Sequence, residues 1–460
     1  MSAWRGKIYF KIKVSSPMNY PLCQTAKSLL NDSLFHTFSI LMMRSILFTA
    51  VLLSVAASYY IYLPLPSTIT EPWKLMLLDA VFRCMMHVGN LIQDLGLCHH
   101  VRVLNFVVSV LELRGPRSSE FVRVTDTSFS GVPARVFESI APGPERLKRG
   151  VIYFHGGGWA LGSGSECVRP FVLRMRSYDL LCRKMAEELD AVIISVDYKL
   201  APDAHFPEQY DDALSACRHI LKAEVLASLS MDPERVAVSG DSAGGNLAAA
   251  VTQQLAVDTS VSVRLKAQAL VYPVLQALDF NTPSYQQNSD VPILYRPLMA
   301  RFWLEYLSGD LSLVPYLLAN NHTALDQSQE AEEAWAKVNW TRLLAPTFHK
   351  HYKPVVPRQG TPRLLEQLPG LLDVRAAPLL AEGGVLEKVP PAYILTCEHD
   401  VLRDDGLMYA QRLEEAGVAV TSDHYEEGFH GCMVFAFWPV CFSVGKRSLR
   451  NYISWLEQNL

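Results

Sequence analysis

The sequence predicts an α/β protein with a mostly parallel, eight-stranded sheet, preceded by one membrane-spanning helix. Short β-rich runs alternate with helical stretches after Gly115, as expected for strands connected by helices. Several runs, such as 191–196, are continuously apolar, as strands buried on both faces of a parallel sheet must be. In addition, residues 45–63 carry no charge and are long enough to cross a bilayer.

The composition agrees with this architecture. The 460 residues include 42 basic and 46 acidic side chains, which gives a net charge of −4, and 50% of the residues are hydrophobic. These values argue against a disordered chain and against a nucleic-acid-binding surface. The nine cysteines form no Cys-x-x-Cys pair, so neither a disulfide scaffold nor a zinc ribbon is expected. The sequence leaves open whether one pair is oxidised in an oxidising compartment.

The first predicted element is a signal anchor over 45–63, which follows a leader at 1–44. Six basic residues and one acid precede the apolar run, so the positive-inside rule predicts a cytosolic N-terminus and a single-pass type II topology. A cleaved signal peptide is the alternative, but its apolar part spans only about 7 to 15 residues. Since Met43 resembles an alternative start, the leader is expected to be dispensable.

This topology predicts two glycosylation sites on the lumenal side. The sequons Asn-His-Thr and Asn-Trp-Thr begin at Asn321 and Asn339, whereas the sequon at Asn31 lies on the cytosolic side. A single sequon often arises by chance, so the prediction depends on the topology.

Residues 64–115 are apolar at helical spacing, which predicts membrane-proximal amphipathic helices. Whether these helices cover the core or lie on the membrane as a lid stays open. Residues 116–460 are the predicted lumenal catalytic domain, and within it the segment at about 275–390 lacks a strand period and is predicted to be a helical cap. The predicted strands are 121–127, 134–138, 151–154, 191–196, 235–239, 267–272, 392–396 and 418–425.

The candidate nucleophile is Ser242. It lies in Gly-Asp-Ser-Ala-Gly at 240–244, between the strand 235–239 and good helix formers. A sharp turn of this kind holds the serine in a strained conformation and directs the positive end of the helix toward a developing anion. Alone the pattern is weak, because plain glycine turns also contain it.

A second motif, His-Gly-Gly-Gly-Trp at 155–159, follows the strand 151–154. Because the three glycines have no side chains, the backbone amides can approach a substrate carbonyl. A phosphate-binding loop is the alternative, but no Lys-Ser or Lys-Thr follows the glycines and the Rossmann spacing is absent. His155 precedes the glycines and is expected to hydrogen-bond the loop. The candidate donors to the oxyanion are the amides of Gly156, Gly157, Gly158 and Ala243.

The acid and the base are expected after the nucleophile, each beyond a strand end. Asp400 follows the strand 392–396, and His430 lies between two glycines after the last strand. A neutral His430 accepts the proton of the serine, and Asp400 holds the imidazole in the required tautomer.

Other side chains fit these roles less well. Asp404 and Asp405 are expected to cap or start the next helix. Asp423 lies inside a strand, and Asp241 adjoins the nucleophile, from where it does not reach the far side of the imidazole. His399 and His424 lie outside glycine-flanked loops.

The pair His99-His100 has no cysteine or carboxylate at ligand spacing, so no metal site is expected there. The proposed chemistry needs neither a metal nor an organic cofactor. The expected partners are a lipid ester substrate and the membrane; no nucleic acid and no obligate protein partner is expected.

Taken together, these motifs resemble the hormone-sensitive-lipase branch of the α/β-hydrolases, and within it the arylacetamide-deacetylase-like group. The resemblance is carried by residues 155–159, 198–202, 240–246 and 400–404, and by Pro72–Ala80 and Tyr272–Phe280. It implies an α/β-hydrolase fold with a helical cap, with Ser242, Asp400 and His430 as the catalytic residues. It also implies a type II protein of the endoplasmic reticulum membrane that hydrolyses carboxylesters such as cholesteryl esters or acetylated monoalkylglycerol ethers.

The chain departs from this family at two places. The leader before Met43 is foreign to it, and part of 164–175 looks like an insertion just after the oxyanion loop. Two other functions stay open: an arylacetamide or xenobiotic deacetylase of the same fold, and a catalytically inactive hydrolase-fold binding module.

Overall fold

A computed structural model describes residues 21–111, 118–140, 147–162, 176–323, 329–355 and 363–460. The chain divides into two compact units, Met1–Tyr62 and Leu63–Leu460. The predicted insertion within 164–175 lies outside the described residues, as does the beginning of the leader.

The first unit contains one long helix, α1 (Pro21–Ile61). Its stretch His36–Ile61 has a mean hydropathy of 2.1, contains no buried residue, and is long and apolar enough to cross a membrane. The helix begins at Pro21, well inside the predicted leader. Arg44 is the single Asp, Glu, Lys or Arg between Asp32 and Glu71. It ends two residues before the predicted boundary.

The first two helices of the second unit are amphipathic and pack against each other: α2 (Pro72–Asp94) and α3 (His100–Leu111). They fall where helical spacing predicts them. Helix α2 is also long and apolar enough to cross a membrane, but Leu75, Ala80 and Met86 on it are buried in the core of this unit. We refer to α2 and α3 together as the α2–α3 hairpin.

All eight predicted strands are present and form one sheet in the order β1-β2-β4-β3-β5-β6-β7-β8. The pairs β1·β2 and β2·β4 are antiparallel, and the others are parallel. The parallel strands therefore end at one edge of the sheet. Their bounds are β1 Val122–Phe129, β2 Val132–Ser139, β3 Lys148–Phe154, β4 Ala191–Val196, β5 Met231–Asp241, β6 Ala267–Val271, β7 Ala392–His399 and β8 Val420–Phe429.

Helices cover both faces of this sheet, which explains its apolar strands. In β4, Val192 and Ile194 belong to one core, whereas Ile193 belongs to the core on the opposite face. Such alternation requires every residue of the strand to be apolar or small. The helices of the sheet layers are α4 Arg176–Leu189, α5 Glu208–Ile220, α6 Ala223–Ser228, α7 Ala243–Val257, α16 Arg403–Glu415 and α17 Ser443–Asn459.

Between β6 and β7 the described residues contain helices and turns but no strand, in agreement with the predicted helical segment. Its longest helix, α9, carries Trp303 and Tyr306 into the main core. The α-helices are α8 Pro283–Gln287, α9 Arg296–Leu307, α10 Val314–Leu318, α11 Gln329–Lys337, α12 Trp340–Leu343, α13 Pro346–His349, α14 Arg363–Gln367 and α15 Gly383–Leu386. The 3₁₀ turns of this segment are Leu311–Leu313, Asn321–Thr323, Pro369–Leu371 and Pro378–Leu380.

Asp404 and Asp405 connect this helical segment to α16. They lie in the first turn of α16 as predicted, but both are buried, and their carboxylates reach across to other parts of the chain. The amide of Ser284 donates to Asp404 over 2.6 Å, and the amide of Leu275 donates to Asp405 over 2.9 Å. The two carboxylates therefore bind the segment after β6 to the start of α16, which follows β7.

We predict that Asp405 makes stability depend on pH. Burial raises its pKa to about 7, whereas an unfolded aspartate titrates near about 4. Between these values the folded chain holds a proton that the unfolded chain has released, so the free energy of unfolding falls as pH rises, by at most about 1.4 kcal/mol per unit. Melting temperatures of the full chain in detergent, measured from pH 5 to 8, should fall less steeply in Asp405→Asn.

The control is Glu224→Gln, which changes an exposed carboxylate. If Asp405→Asn follows the same pH curve as the wild type and this control, Asp405 is not the titrating group.

Candidate active site

The site is built around Ser242, at the junction between β5 and α7. Ser242 has φ 54° and ψ −119°, a conformation that costs energy for a residue with a Cβ and that the surrounding packing must maintain. A Cβ at Gly244 would lie 2.0 Å from the carbonyl oxygen of Phe154, so glycine is required for β3 and α7 to approach this closely. The predicted strand, turn and helix are therefore all present.

The three residues predicted to act together are in contact. Nε2 of His430 lies 2.9 Å from Oγ of Ser242, and Nδ1 of His430 lies 2.7 Å from Oδ2 of Asp400. All three side chains are buried. If Nδ1 carries the proton and donates it to Asp400, then Nε2 is free to accept the proton of Ser242.

Neighbouring groups fix the acid and the base. Oδ1 of Asp400 accepts a hydrogen bond of 2.8 Å from the amide of Leu402, which orients the carboxylate. The side-chain amide of Asn288 donates to the carbonyl of Asp400. The ring of Tyr272 packs beside that of His430, with 5.0 Å between the ring centroids and an angle of 57° between the ring planes.

The glycine loop after β3 begins beside Asp241, the residue that precedes Ser242. Gly157 and Gly158 have φ of 109° and 62°, and a Cβ at Gly158 would lie 2.4 Å from the ring of Phe302. Glycine is thus required both by the conformation and by the close approach of α9. The amide of Ala243, at the first position of α7, has no acceptor within its own helix. The amides of Gly157, Gly158 and Ala243 stay the candidate oxyanion donors.

Gly156 is a correction to the predicted set of donors. Its amide donates to Oδ1 of Asp241 over 2.9 Å and lies 3.0 Å from the hydroxyl of Tyr178. Because this donor is already engaged with the protein, Gly156 does not contribute to an oxyanion hole in this geometry. It fixes the start of the loop.

Asp241 holds the glycine loop against the nucleophile turn. Besides the amide of Gly156, it accepts hydrogen bonds from the hydroxyls of Tyr153 and Tyr178, at 2.8 and 2.9 Å. Burial raises the pKa of Asp241 to about 6, and the hydrogen bonds from the two tyrosines oppose this shift. Asp241 is therefore a positioning residue. It precedes Ser242 in the chain, and its carboxylate binds Gly156, which precedes the candidate donor amides of the loop.

His155 lies where the sequence places it and contacts the loop. Its Nδ1 is 2.8 Å from the carbonyl oxygen of Gly156, and its ring stacks on Tyr198 with a centroid distance of 4.6 Å. The hydroxyl of Tyr198 donates to the carbonyl of His155 over 2.6 Å. These contacts fit a role in supporting the loop.

The competing side chains have other partners. Asp423 accepts from the hydroxyls of Tyr393 and Tyr425. His399 lies 2.6 Å from the hydroxyl of Thr68, and His424 lies 2.9 Å from that of Thr396. The structure thus brings Asp400 to the imidazole and assigns these groups to separate networks.

The fold supplies a carboxylate to the pair His99-His100 that sequence spacing does not reveal. Oε1 of Glu305 lies 3.5 Å from Nε2 of His99 and 3.7 Å from Nε2 of His100. However, Nη2 of Arg301 lies 3.3 Å from the same nitrogen of His100, so a guanidinium already brings positive charge to this cluster. We assign it no metal.

Sequence reasoning missed three supporting groups: Tyr178, Phe302 and Asn105. The side-chain amide of Asn105 donates to the carbonyl of Ala160 over 2.8 Å, and its oxygen accepts from Gly162. Each of these residues lies far along the chain from the motif it supports, so no local pattern identifies it.

Comparisons with known proteins agree with this fold. Residues 151–334 and 340–434 match the family described as alpha/beta hydrolase fold. The chain is 54% identical to neutral cholesterol ester hydrolase 1 of Bos taurus over 90% of this chain and 99% of the relative. It is 43% identical to arylacetamide deacetylase of Bos taurus, over 91% of this chain and all of the relative.

Solved structures share the fold. EstE1, a thermostable carboxylesterase from a metagenomic library, matches with a TM-score of 0.54 and 26% identity, over 78% of this chain and 95% of that one. An esterase from Pyrobaculum calidifontis matches with a TM-score of 0.55 and 25% identity, over 81% and 97%. The chain therefore belongs to the α/β-hydrolase family and, within it, to the group that contains the neutral cholesterol ester hydrolases and the arylacetamide deacetylases.

Proposed function

We propose that the protein is a membrane-anchored serine esterase that hydrolyses carboxylic esters of apolar lipids. The observation that carries this proposal is the position of His430, whose two ring nitrogens lie within hydrogen-bond distance of Ser242 and Asp400. Nucleophile, base and acid are in contact at one sheet edge, which is what acyl transfer through a serine requires of them.

In the first half of the reaction, Oγ of Ser242 attacks the ester carbonyl while Nε2 of His430 takes its proton. The amides of Gly157, Gly158 and Ala243 donate to the oxyanion, and Asp400 stabilises the imidazolium. The ester bond then breaks, and His430 gives its proton to the leaving alcohol. In the second half, His430 takes a proton from water, the hydroxide attacks the acyl-enzyme, and the carboxylic acid leaves as Oγ regains its proton.

The substrate class follows from the relatives and from the chemistry of the chain. The group of relatives at 52–54% identity is named for cholesterol ester hydrolysis, whereas the arylacetamide deacetylases are about 10 points less similar. An apolar anchor also suits a substrate that partitions into membrane. We therefore propose cholesteryl esters or acetylated monoalkylglycerol ethers rather than aryl amides.

The same proposal places the enzyme in the endoplasmic reticulum membrane with a type II topology. Its support is the excess of basic residues before the apolar run and the two sequons beyond it. Asn339 is exposed, as glycosylation requires, and its side-chain oxygen accepts from the hydroxyl of Thr341. The catalytic domain would then be lumenal.

We predict that the purified full chain hydrolyses a long-chain cholesteryl ester and a short soluble ester, and that Ser242→Ala lowers both activities by at least about a thousandfold. Asp400→Asn should lower kcat strongly, because the imidazole loses the partner that fixes its tautomer. Asp404→Asn is the matched control, since it changes the neighbouring buried acid. This variant should lose little activity if it still melts cooperatively.

If Asp404→Asn abolishes activity while Asp400→Asn retains it, the assignment of the acid is wrong. Activity on aryl amides with none on either ester would instead identify a deacetylase. Wild-type protein that is folded but hydrolyses none of these substrates would support an inactive binding module.

We predict that the chain made in cells carries high-mannose glycans. Treatment with endoglycosidase H should increase its electrophoretic mobility, and Asn339→Gln should remove one step of this shift. Asn31→Gln is the control and should change nothing, because that sequon precedes the anchor. A glycan on Asn31 with none on Asn321 or Asn339 would reverse the topology.

A further inference from the structure

One face of helix α2 is apolar and exposed along the length of the helix. Trp73, Leu77, Val81, Val88, Leu91 and the adjacent Leu95 are between 44% and 63% exposed, and Cys84 is exposed as well. Their spacing of three or four residues places them on one side of an α-helix. We call this set the α2 stripe: Trp73, Leu77, Val81, Cys84, Val88, Leu91 and Leu95.

The α2 stripe is not the core-facing side of the helix. Leu75 and Met86, on the opposite side of the helix, are at most 4% exposed. An exposed apolar row of this length on a folded domain marks a surface that meets a partner or a membrane.

The path of the chain favours a membrane as the occupant. The apolar stretch His36–Ile61 of α1 ends at Ile61, and the amide of Leu63, two residues later, lies 3.3 Å from the sulfur of Met76 on α2. The second unit therefore begins, two residues after the apolar stretch, with a residue that is held against the first turns of α2. Tyr59, Tyr60, Tyr62 and Trp73, residue types enriched at lipid–water boundaries, cluster at this junction of the sequence.

The charged residues next to the α2 stripe agree with this occupant. Lys74 pairs with Glu71 over 2.6 Å, and Arg83 pairs with Asp79 over 2.6 Å. Because these cations have partners within the protein, placing the apolar row at a lipid boundary leaves neither of them without a counter-ion.

The other member of the hairpin is connected to the active site. Asn105 on α3 bonds both Ala160 and Gly162, in the turn that follows the oxyanion glycines. Before α2, the hydroxyl of Thr68 lies 2.6 Å from His399, the residue that precedes Asp400. The helix that bears the stripe is thus flanked by contacts to both sides of the catalytic site.

We propose that the α2 stripe lies in the interface of the bilayer that α1 enters, so that the catalytic domain docks through its α2–α3 hairpin and takes its ester from that membrane. The uptake of an ester from the membrane rests on the proposed esterase function. The docking itself rests only on the exposed α2 stripe. Helices of this kind lie about 5 to 10 Å within the headgroup and acyl boundary.

Native Cys84 provides a probe of this surface. In the full chain reconstituted into phosphatidylcholine vesicles, a nitroxide on Cys84 should collide several-fold more often with oxygen, which partitions into lipid, than with a water-soluble nickel chelate. The matched control carries Cys84→Ser and Val257→Cys, a 38% exposed valine at the end of α7, and should show the opposite preference. In both proteins serine replaces Cys23, Cys98, Cys167 and Cys441.

A second measurement links the stripe to turnover. Val88→Glu with Leu91→Glu should lower hydrolysis of a vesicle-borne cholesteryl ester several-fold and leave hydrolysis of a short soluble ester unchanged. Hydrolysis of the soluble ester by wild type tests the esterase proposal separately, because it does not depend on docking.

Equal nickel accessibility at positions 84 and 257 would overturn the docking proposal, even if both esters are hydrolysed. Strong spin–spin broadening at position 84 would also overturn it, because a second copy of the chain would then cover the stripe. Conversely, lipid exposure at position 84 without any hydrolysis would retain the docking surface and reject the esterase function.

Discussion

The catalytic arrangement depends on the hydrogen-bonded contact between Nε2 of His430 and Oγ of Ser242, 2.9 Å apart and 188 residues apart in sequence. Such a contact is possible because β5, β7 and β8 are parallel and end at the same edge of the sheet. The strained turn at Ser242 projects the hydroxyl beyond that edge, and the packing of β3 against α7 maintains the turn. The reaction therefore depends on strand order as much as on the three side chains.

A second constraint keeps the candidate oxyanion donors in place. Asp241 binds Tyr153, Tyr178 and the amide of Gly156, so the residue before the nucleophile also holds the start of the glycine loop. From the other side, Phe302 leaves no room for a side chain at Gly158, and Asn105 fixes the turn after the loop. The loop thus contacts the sheet core, α9 and the α2–α3 hairpin. A movement of any of these elements would displace the amides of the loop.

The sequence predicts the fold class, all eight strands and the residues that meet at the site, because these depend on local periodicity and on motifs at strand ends. It does not predict that Gly156 is engaged by Asp241, since that depends on where β3 and β5 lie side by side. For the same reason it places Asp404 and Asp405 at the start of α16 but does not reveal their bonds to the amides of Ser284 and Leu275. It also misses Glu305 beside His99 and His100. The sequence also does not predict where α1 begins. The prediction used the apolar run, and a helix can continue into the leader without apolar residues.

The most direct test of the account is a crystal structure of the protein after reaction with a fluorophosphonate, which mimics the tetrahedral intermediate. We expect phosphorus bonded to Oγ of Ser242, with the phosphoryl oxygen within about 3.1 Å of the amides of Gly157, Gly158 and Ala243. His430 should remain between the serine oxygen and Asp400. Phosphorus on another side chain, or a phosphoryl oxygen that faces away from these amides, would contradict the proposed catalytic site.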